Sequence, residues 1–203
     1  IASCLVGSEM CIRDRTMECV HKLAPAGATG EAIVQKALKR HLPRTAKFRF
    51  NYLAPGGNEI DAIVLDPSIG VFCIEVKGMP IGGICSYTLQ EINIAGRKNS
   101  DYNPVAQAWT GMFILQQRMS DALGQEGLPW LIPTAAFPRI KRKEFEDKFL
   151  TGTARDHDLR EHINGLLFQD DLDDGEHLKQ YLSHIYTCLL YTSDAADDMQ
   201  CED

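Results

Sequence analysis

The stretch "EIDAIVLDPSIGVFCIEVK", residues 59–77, reads as two apolar strands joined by a tight turn, with Asp61, Glu75 and Lys77 set inside the apolar runs. An ionised group buried without a partner costs several kcal/mol, so three charges in such places need a reason. With the turn taken as residues 66–70, Leu65 faces Val71, and Asp61 then faces Glu75 across an antiparallel ladder. Directly opposed side chains in such a ladder have Cβ atoms ~4.5–5.5 Å apart. Two carboxylates that close repel, and a half-buried setting sharpens the repulsion. Lys77 lies two residues beyond Glu75 and so on the same face.

Two readings fit these charges. In the first, Glu75 and Lys77 form an ion pair on a solvated face, while Asp61 serves the turn or meets Arg97; such pairs are worth little. In the second, a divalent cation sits between Asp61 and Glu75 and removes the repulsion. Mg²⁺ takes one or two carboxylates together with waters and a substrate phosphate. Lys77 would then orient or deprotonate an attacking water, or stabilise charge building on phosphorus. Ile60, Ala62, Ile63, Val64, Phe72, Cys73, Ile74 and Val76 surround the charged residues on both faces. That pattern belongs to central strands, which favours the cation.

Outward from this hairpin the chain alternates between the two structural periods. "ATGEAIVQKALKRHLP" (28–43) predicts a helix capped by Thr29 or Gly30, with Glu31 in its first turn on the apolar face of Val34, Leu38 and Leu42. "AKFRFNYL" (46–53) predicts a strand with Phe48, Phe50 and Tyr52 on one side and Lys47, Arg49 and Asn51 on the other. Residues 80–96 predict a further strand or hairpin ending in a polar, mobile loop, "RKNSDY". "NPVAQAWTGMFILQQRM" (103–119) is the clearest helix: Asn103 caps it, Pro104 takes the first position, and Val105, Trp109, Met112, Phe113 and Leu115 or Gln116 form a broad buried face. A strand interrupted by Pro133, a short helix over 144–150, a last strand at 165–172 and a last helix at 174–186 complete the pattern. The order predicts an α/β fold, a mixed central β-sheet flanked by helices.

The two ends look foreign to a protein domain. "LVGSEMCIRDR" (5–15) and "CLLYTSDAAD" (188–197) resemble translated sequencing adapters, which assigns residues 1–15 and 188–203 to artefact. The 203 residues carry a formal charge of −7, but 188–203 hold five acids and no base while 1–15 are neutral, leaving −2 in between. A nucleic-acid partner is therefore not disfavoured by charge. Hydrophobic (44%) and charged (24%) fractions are those of an ordinary globular protein. No apolar run approaches the ~20 residues of a membrane helix. Cys19, Cys73 and Cys85 remain outside the suspect ends, without CxxC spacing, which predicts reduced thiols in a cytoplasm and no zinc site. The histidines follow no ligand spacing, and Asp170, Asp171, Asp173 and Asp174 read as a helix-start cluster.

Glu31 in an opening helix, then "EID" (59–61), "GVFCIEVKG" (70–78) and "NPVAQA" (103–108), closely resembles the nuclease-related domain (NERD) family. That family is a branch of the PD-(D/E)xK restriction-endonuclease-like superfamily, and the likeness covers about residues 28–120. The resemblance implies a restriction-endonuclease-like fold and Mg²⁺- or Mn²⁺-dependent hydrolysis of DNA in processing or repair. Asp61 and Glu75 would be metal ligands and Lys77 the catalytic lysine. Glu31 would be the helix acid directed into the site, and Gln107 the helix residue that supports it. Ile60 stands where the superfamily's usual proline would precede Asp61, as is normal in this branch. Residues 16–128 would form the domain core. The segment 129–187, with "FPRIKRKEF" and "LLFQDDL", resembles the stretch that follows this domain in fusions with superfamily-I DNA helicases, as an extension or a link. Arg139, Lys141, Arg142 and Lys143, with Arg97 and Lys98, are the candidate phosphate contacts. The alternative is a non-cleaving DNA-binding or adaptor module attached to such a helicase, with a vestigial site.

Overall fold

A computed structural model describes residues 25–54, 57–124, 128–153 and 156–198. The hairpin of residues 59–77 lies at the centre of the fold. β2 (Glu59–Asp66) and β3 (Gly70–Val76) pair antiparallel with Leu65 opposite Val71, as the turn length predicts. Asp66 builds the turn: its Oδ1 accepts from the Ser68 amide at 2.9 Å and the Ser68 hydroxyl at 2.7 Å. Gly70 closes it at φ +92°, a conformation that costs a residue without a Cβ nothing.

β1 (Lys47–Leu53) flanks β2, while β7 (Leu131–Phe137) and β8 (Leu167–Phe168) run parallel beyond β3. The result is a five-stranded mixed sheet of order β1-β2-β3-β7-β8. β7, which follows residue 128, lies beside β3 in the interior of the sheet, and the last helix packs on the same core through its described residues. Pro133 is tolerated within β7 because β8 reaches only Ala136 and Phe137 and forms no ladder alongside the proline.

One face of the sheet is covered by α1 (Pro25–His41) and α6 (Gly175–Asp198), through a core of Val34, Leu38, Val64, Phe72, Ile74 and Leu182 among others. The other face carries α2 (Pro104–Leu123), which packs on Ile60, Val71, Cys73 and Leu131. β4 (Ile84–Tyr87), β5 (Glu91–Ile94) and β6 (Asp101–Tyr102) form a separate three-stranded meander. The meander shares a third core with α3 (Arg142–Phe149) and α4 (His157–Asn164). The short α5 (Gln169–Asp173) leads into α6. Residues 188–198 continue α6 as helix, whereas 1–15, 199–203 and Cys19 lie outside the described residues. Among the described residues no helix is long and apolar enough to cross a membrane.

Several local expectations change. α1 begins at Pro25, so Gly30 is interior rather than a cap, and Glu31 falls in the second turn. The reason is contact with the sheet: a Cβ on Gly30 would lie 2.5 Å from the Cα of Gly78. α2 starts as expected, with Asn103 Oδ1 accepting from the Val105 amide at 2.9 Å, but its buried face is narrower. Ala108, Gly111 and Met112 face the sheet, while Trp109 (42% exposed) and Phe113 (57%) lie outside with their rings tilted against one another. Ile60 fills the space above Gly111, so small residues let the helix approach closely. The polar loop is shorter than predicted, because Asp101 and Tyr102 are already strand β6. Tyr52 leaves the side of Phe48 and Phe50 and packs with the α2 cluster.

Gly30→Ala tests the closeness of α1. Helix propensity alone favours alanine by about 1 kcal/mol, but the obstacle is backbone and cannot rotate away. A net destabilisation of about 1–3 kcal/mol is expected in denaturant unfolding; a stabilised variant would mean that α1 does not approach Gly78.

Candidate active site

The charges of the hairpin meet where the sheet's ladders give out. The β2–β3 ladder ends with Ala62 opposite Ile74, and one more step brings Asp61 beside Glu75. There the side chain takes over from the backbone: Asp61 Oδ2 accepts the Val76 amide at 2.7 Å. Lys77 continues past β3, its own amide bonded to the Ala136 carbonyl at 2.9 Å, so its Cα stays held by β7. Its ammonium donates to Glu75 Oε1 at 2.7 Å and to Gln107 Oε1 at 2.8 Å. Gln107 is fixed in turn, its Nε2 donating to the Tyr102 carbonyl at 2.6 Å. The Lys77 and Glu75 side chains are only 14% and 15% exposed.

Gln107 reaches Lys77 because Asn103 and Pro104 start α2 at that point. Asn103 is fully buried and anchored by its own contacts: its Nδ2 donates to the Thr88 carbonyl at 2.7 Å and lies 3.2 Å from His162 Nε2. From the opposite face, α1 brings Glu31, whose Oε2 accepts from Asn51 Nδ2 at 2.8 Å. Burial, and next the Glu75 carboxylate, push the Asp61 carboxyl up to about 7; Glu31 adds to the rise, while the Val76 amide and Lys77 oppose it. All five residues expected from the sequence thus meet in one region. Asn51 is the residue that sequence reasoning passed over. Its signal was an amide among the basic and aromatic residues of β1, a type that tolerates left-handed backbone.

Of the first two readings, the ion pair of Glu75 and Lys77 is present, but it is largely buried rather than on a solvated face. Asp61 neither builds the turn nor meets Arg97, which pairs with Asp101 instead. A cleft of about 660 Å³ opens beside Lys77 and Gln107, and Arg97 lies on its wall with Gln90, Glu91 and Tyr102. Lys98, Arg139, Lys141 and Lys143 are exposed and are not among the described residues of that wall. Lys143 pairs with Asp147 on the surface.

Arg142 is withdrawn from the candidate phosphate contacts because its guanidinium is turned inward. It donates to the Ile163 and Leu166 carbonyls and to Asp171 Oδ2, at 3.1, 3.0 and 2.9 Å, and stacks on the rings of Phe168 and Tyr181. Asp171 fills the expected helix-start role, standing with Asp170 in the first turn of α5 with its Oδ2 accepting the Phe168 amide at 2.8 Å, and it is also the buried ion-pair partner of Arg142. Asp174 likewise accepts backbone amides at the start of α6. Cys73 is a buried free thiol pushed up to about 12 by burial, as suits a small core residue, and Cys85 is free and exposed.

Among the described residues no cluster of three or more His, Cys, Asp or Glu could hold a metal ion by itself. Asp61 and Glu75 offer two carboxylates, which suits a hard cation that keeps waters and borrows a substrate oxygen. Burial and the Glu75 carboxylate raise Asp61, and a positive charge placed between the two acids would oppose that rise.

A mixed α/β sheet with two acids and a tethered lysine at one strand end defines a nuclease-like class of domain. The family model of the nuclease-related domain matches residues 26–138, more than half of the chain and every residue of the site, and the chain belongs to that family. No curated protein and no solved structure matches it.

Two outcomes follow. Asp61 keeps its proton in the folded state up to about pH 7 but loses it near 4 when unfolded. Its contribution therefore favours folding below pH 4 and is lost as pH rises to 7. In metal-free thermal melts, Asp61→Asn should raise the midpoint over wild type at pH 8, and the gain should vanish near pH 4. A lower midpoint at pH 8 would show that the carboxylate is not strained. Arg142→Ala strands a buried Asp171 and should cost about 3 kcal/mol or more in denaturant unfolding, with DNA affinity per folded molecule unchanged.

Proposed function

We propose that this domain hydrolyses phosphodiester bonds in DNA with the aid of Mg²⁺ or Mn²⁺ bound by Asp61 and Glu75. The observation that carries this reading is the convergence of two carboxylates and Lys77 at the end of β3, an arrangement under electrostatic strain that a cation relieves. A bound cation supplies Lewis acidity toward a phosphoryl oxygen and a water of lowered pKa. Lys77, held at two points by Glu75 and Gln107, orients the attacking water or stabilises charge developing on phosphorus. Gln107 keeps the ammonium from swinging away, and Glu31 adds negative charge on the Asp61 side. The cleft beside Lys77 is the space for the scissile strand, with Arg97 on its wall for a neighbouring phosphate. Lys98, Arg139, Lys141 and Lys143 are surface contacts for flanking phosphates.

The wider setting follows from the sequence resemblance: DNA processing or repair in a reducing cytoplasm, with a superfamily-I helicase as partner in the same full-length chain. The free Cys73 and Cys85 are compatible with that compartment.

The test is cleavage of duplex and single-stranded DNA by wild type, Asp61→Asn and Lys77→Ala, with Mg²⁺, Mn²⁺ or a chelator. Each variant should lose about 10²-fold or more of the metal-dependent rate, and the chelator should abolish it. Cleavage absent from all three proteins, with salt-dependent DNA binding indifferent to Mg²⁺ and to Asp61, identifies a non-cleaving binding module instead.

A further inference from the structure

Among the described residues, Asn51 is the only one other than glycine with a positive φ, +49°. Side chains with a Cβ rarely adopt that conformation, asparagine more readily than most. In β1 it stands between Phe50, paired with Ala62, and Tyr52, paired with Ile60, which places it beside Asp61. The row Asn51, Asp61, Glu75 therefore crosses three adjacent strands.

The backbone turn has two consequences. It transfers Tyr52 to the α2 side of the sheet, where Ile60 of β2 also packs. It also gives the Asn51 amide to α1: Nδ2 donates to Glu31 Oε2 at 2.8 Å, and Oδ1 accepts from Gln35 Nε2 at 3.4 Å. Gln35 lies one helical turn after Glu31, so both ends of the amide are engaged by the same helix. Glu31 is only half-buried on α1 and has a long side chain with freedom to turn into water. The hydrogen bond from Asn51 removes that freedom on the side nearest Asp61.

We propose that Asn51 is a positioning residue of the cation site: its left-handed backbone turns the amide onto α1 and holds the Glu31 carboxylate beside Asp61, where Glu31 strengthens the binding of a divalent cation. The inference rests on the metal reading of Asp61 and Glu75 and adds a residue and a role to it. Outer partners of this kind commonly change metal affinity by about 10–100-fold when removed.

The test is Mn²⁺ titration of the full chain by calorimetry with a DNA duplex present, beside thermal melts of the same proteins. Asn51→Gly keeps the left-handed backbone and loses the amide. It should bind Mn²⁺ about tenfold or more weakly while melting close to wild type. Adding Asn51→Gly to Glu31→Gln should bring no further loss, because the amide acts through that carboxylate. Wild-type affinity in Asn51→Gly, or a double variant whose loss is the product of the single losses, overturns the role of Asn51 alone. Wild type that takes up no Mn²⁺ overturns the metal reading and this inference with it.

Discussion

Asp61 is placed where an ionised carboxyl is least comfortable, half-buried and next to Glu75, and the surrounding structure answers to that constraint. The β2–β3 ladder gives way there, with the Asp61 side chain accepting the Val76 amide. The neighbouring strand turns left-handed at Asn51 in the same row. Lys77 is brought back onto Glu75 and locked by Gln107. Regular sheet would have satisfied the backbone at lower electrostatic cost. Strain of this sort persists where the fold over-determines it, and it is concentrated at functional sites.

The residues of the site come from four elements that meet only in three dimensions. Glu31 belongs to α1 on one face of the sheet and Gln107 to α2 on the other, while Asp61 and Glu75 come from the strands between them. Close packing makes this possible, and glycine supplies it on each face: Gly30 against Gly78, and Gly111 beneath Ile60. The supports extend beyond the matched segment. His162, on α4 and outside residues 26–138, lies against Asn103 and Tyr87, and Asn103 fixes the start of the helix that carries Gln107. The C-terminal part of the chain therefore contributes to the geometry of the site as well as to the core.

Much of this was legible beforehand because it is local. A turn closed by Asp66 and Gly70 sets the β2–β3 register, and the register in turn sets which charges are neighbours. Asn103 followed by Pro104 marks a helix start in any context. The misreadings share a cause, since each depended on what lay across from the residue. Gly30 resembled a cap because glycine in a helix is unfavourable, and only the approach of Gly78 explains it. Trp109 and Phe113 have the size and spacing of a buried face, but the sheet selects the small face of α2 instead. Arg142 sat in a basic run, and nothing in that run announces that Asp171, Phe168 and Tyr181 would enclose it.

By itself the sequence determined the hairpin, its register, the placing of two acids and a lysine on neighbouring positions, and the helix that begins at Asn103. These follow from backbone periodicity and turn chemistry over a few residues. The tertiary structure alone decided that β7 joins β3, that α1 slides close enough to bring Glu31 across, that Lys77 is tied to Gln107, and that Asn51 bends its strand to reach Glu31. Each of those depends on distances between segments far apart in the chain, which packing fixes and local preference does not.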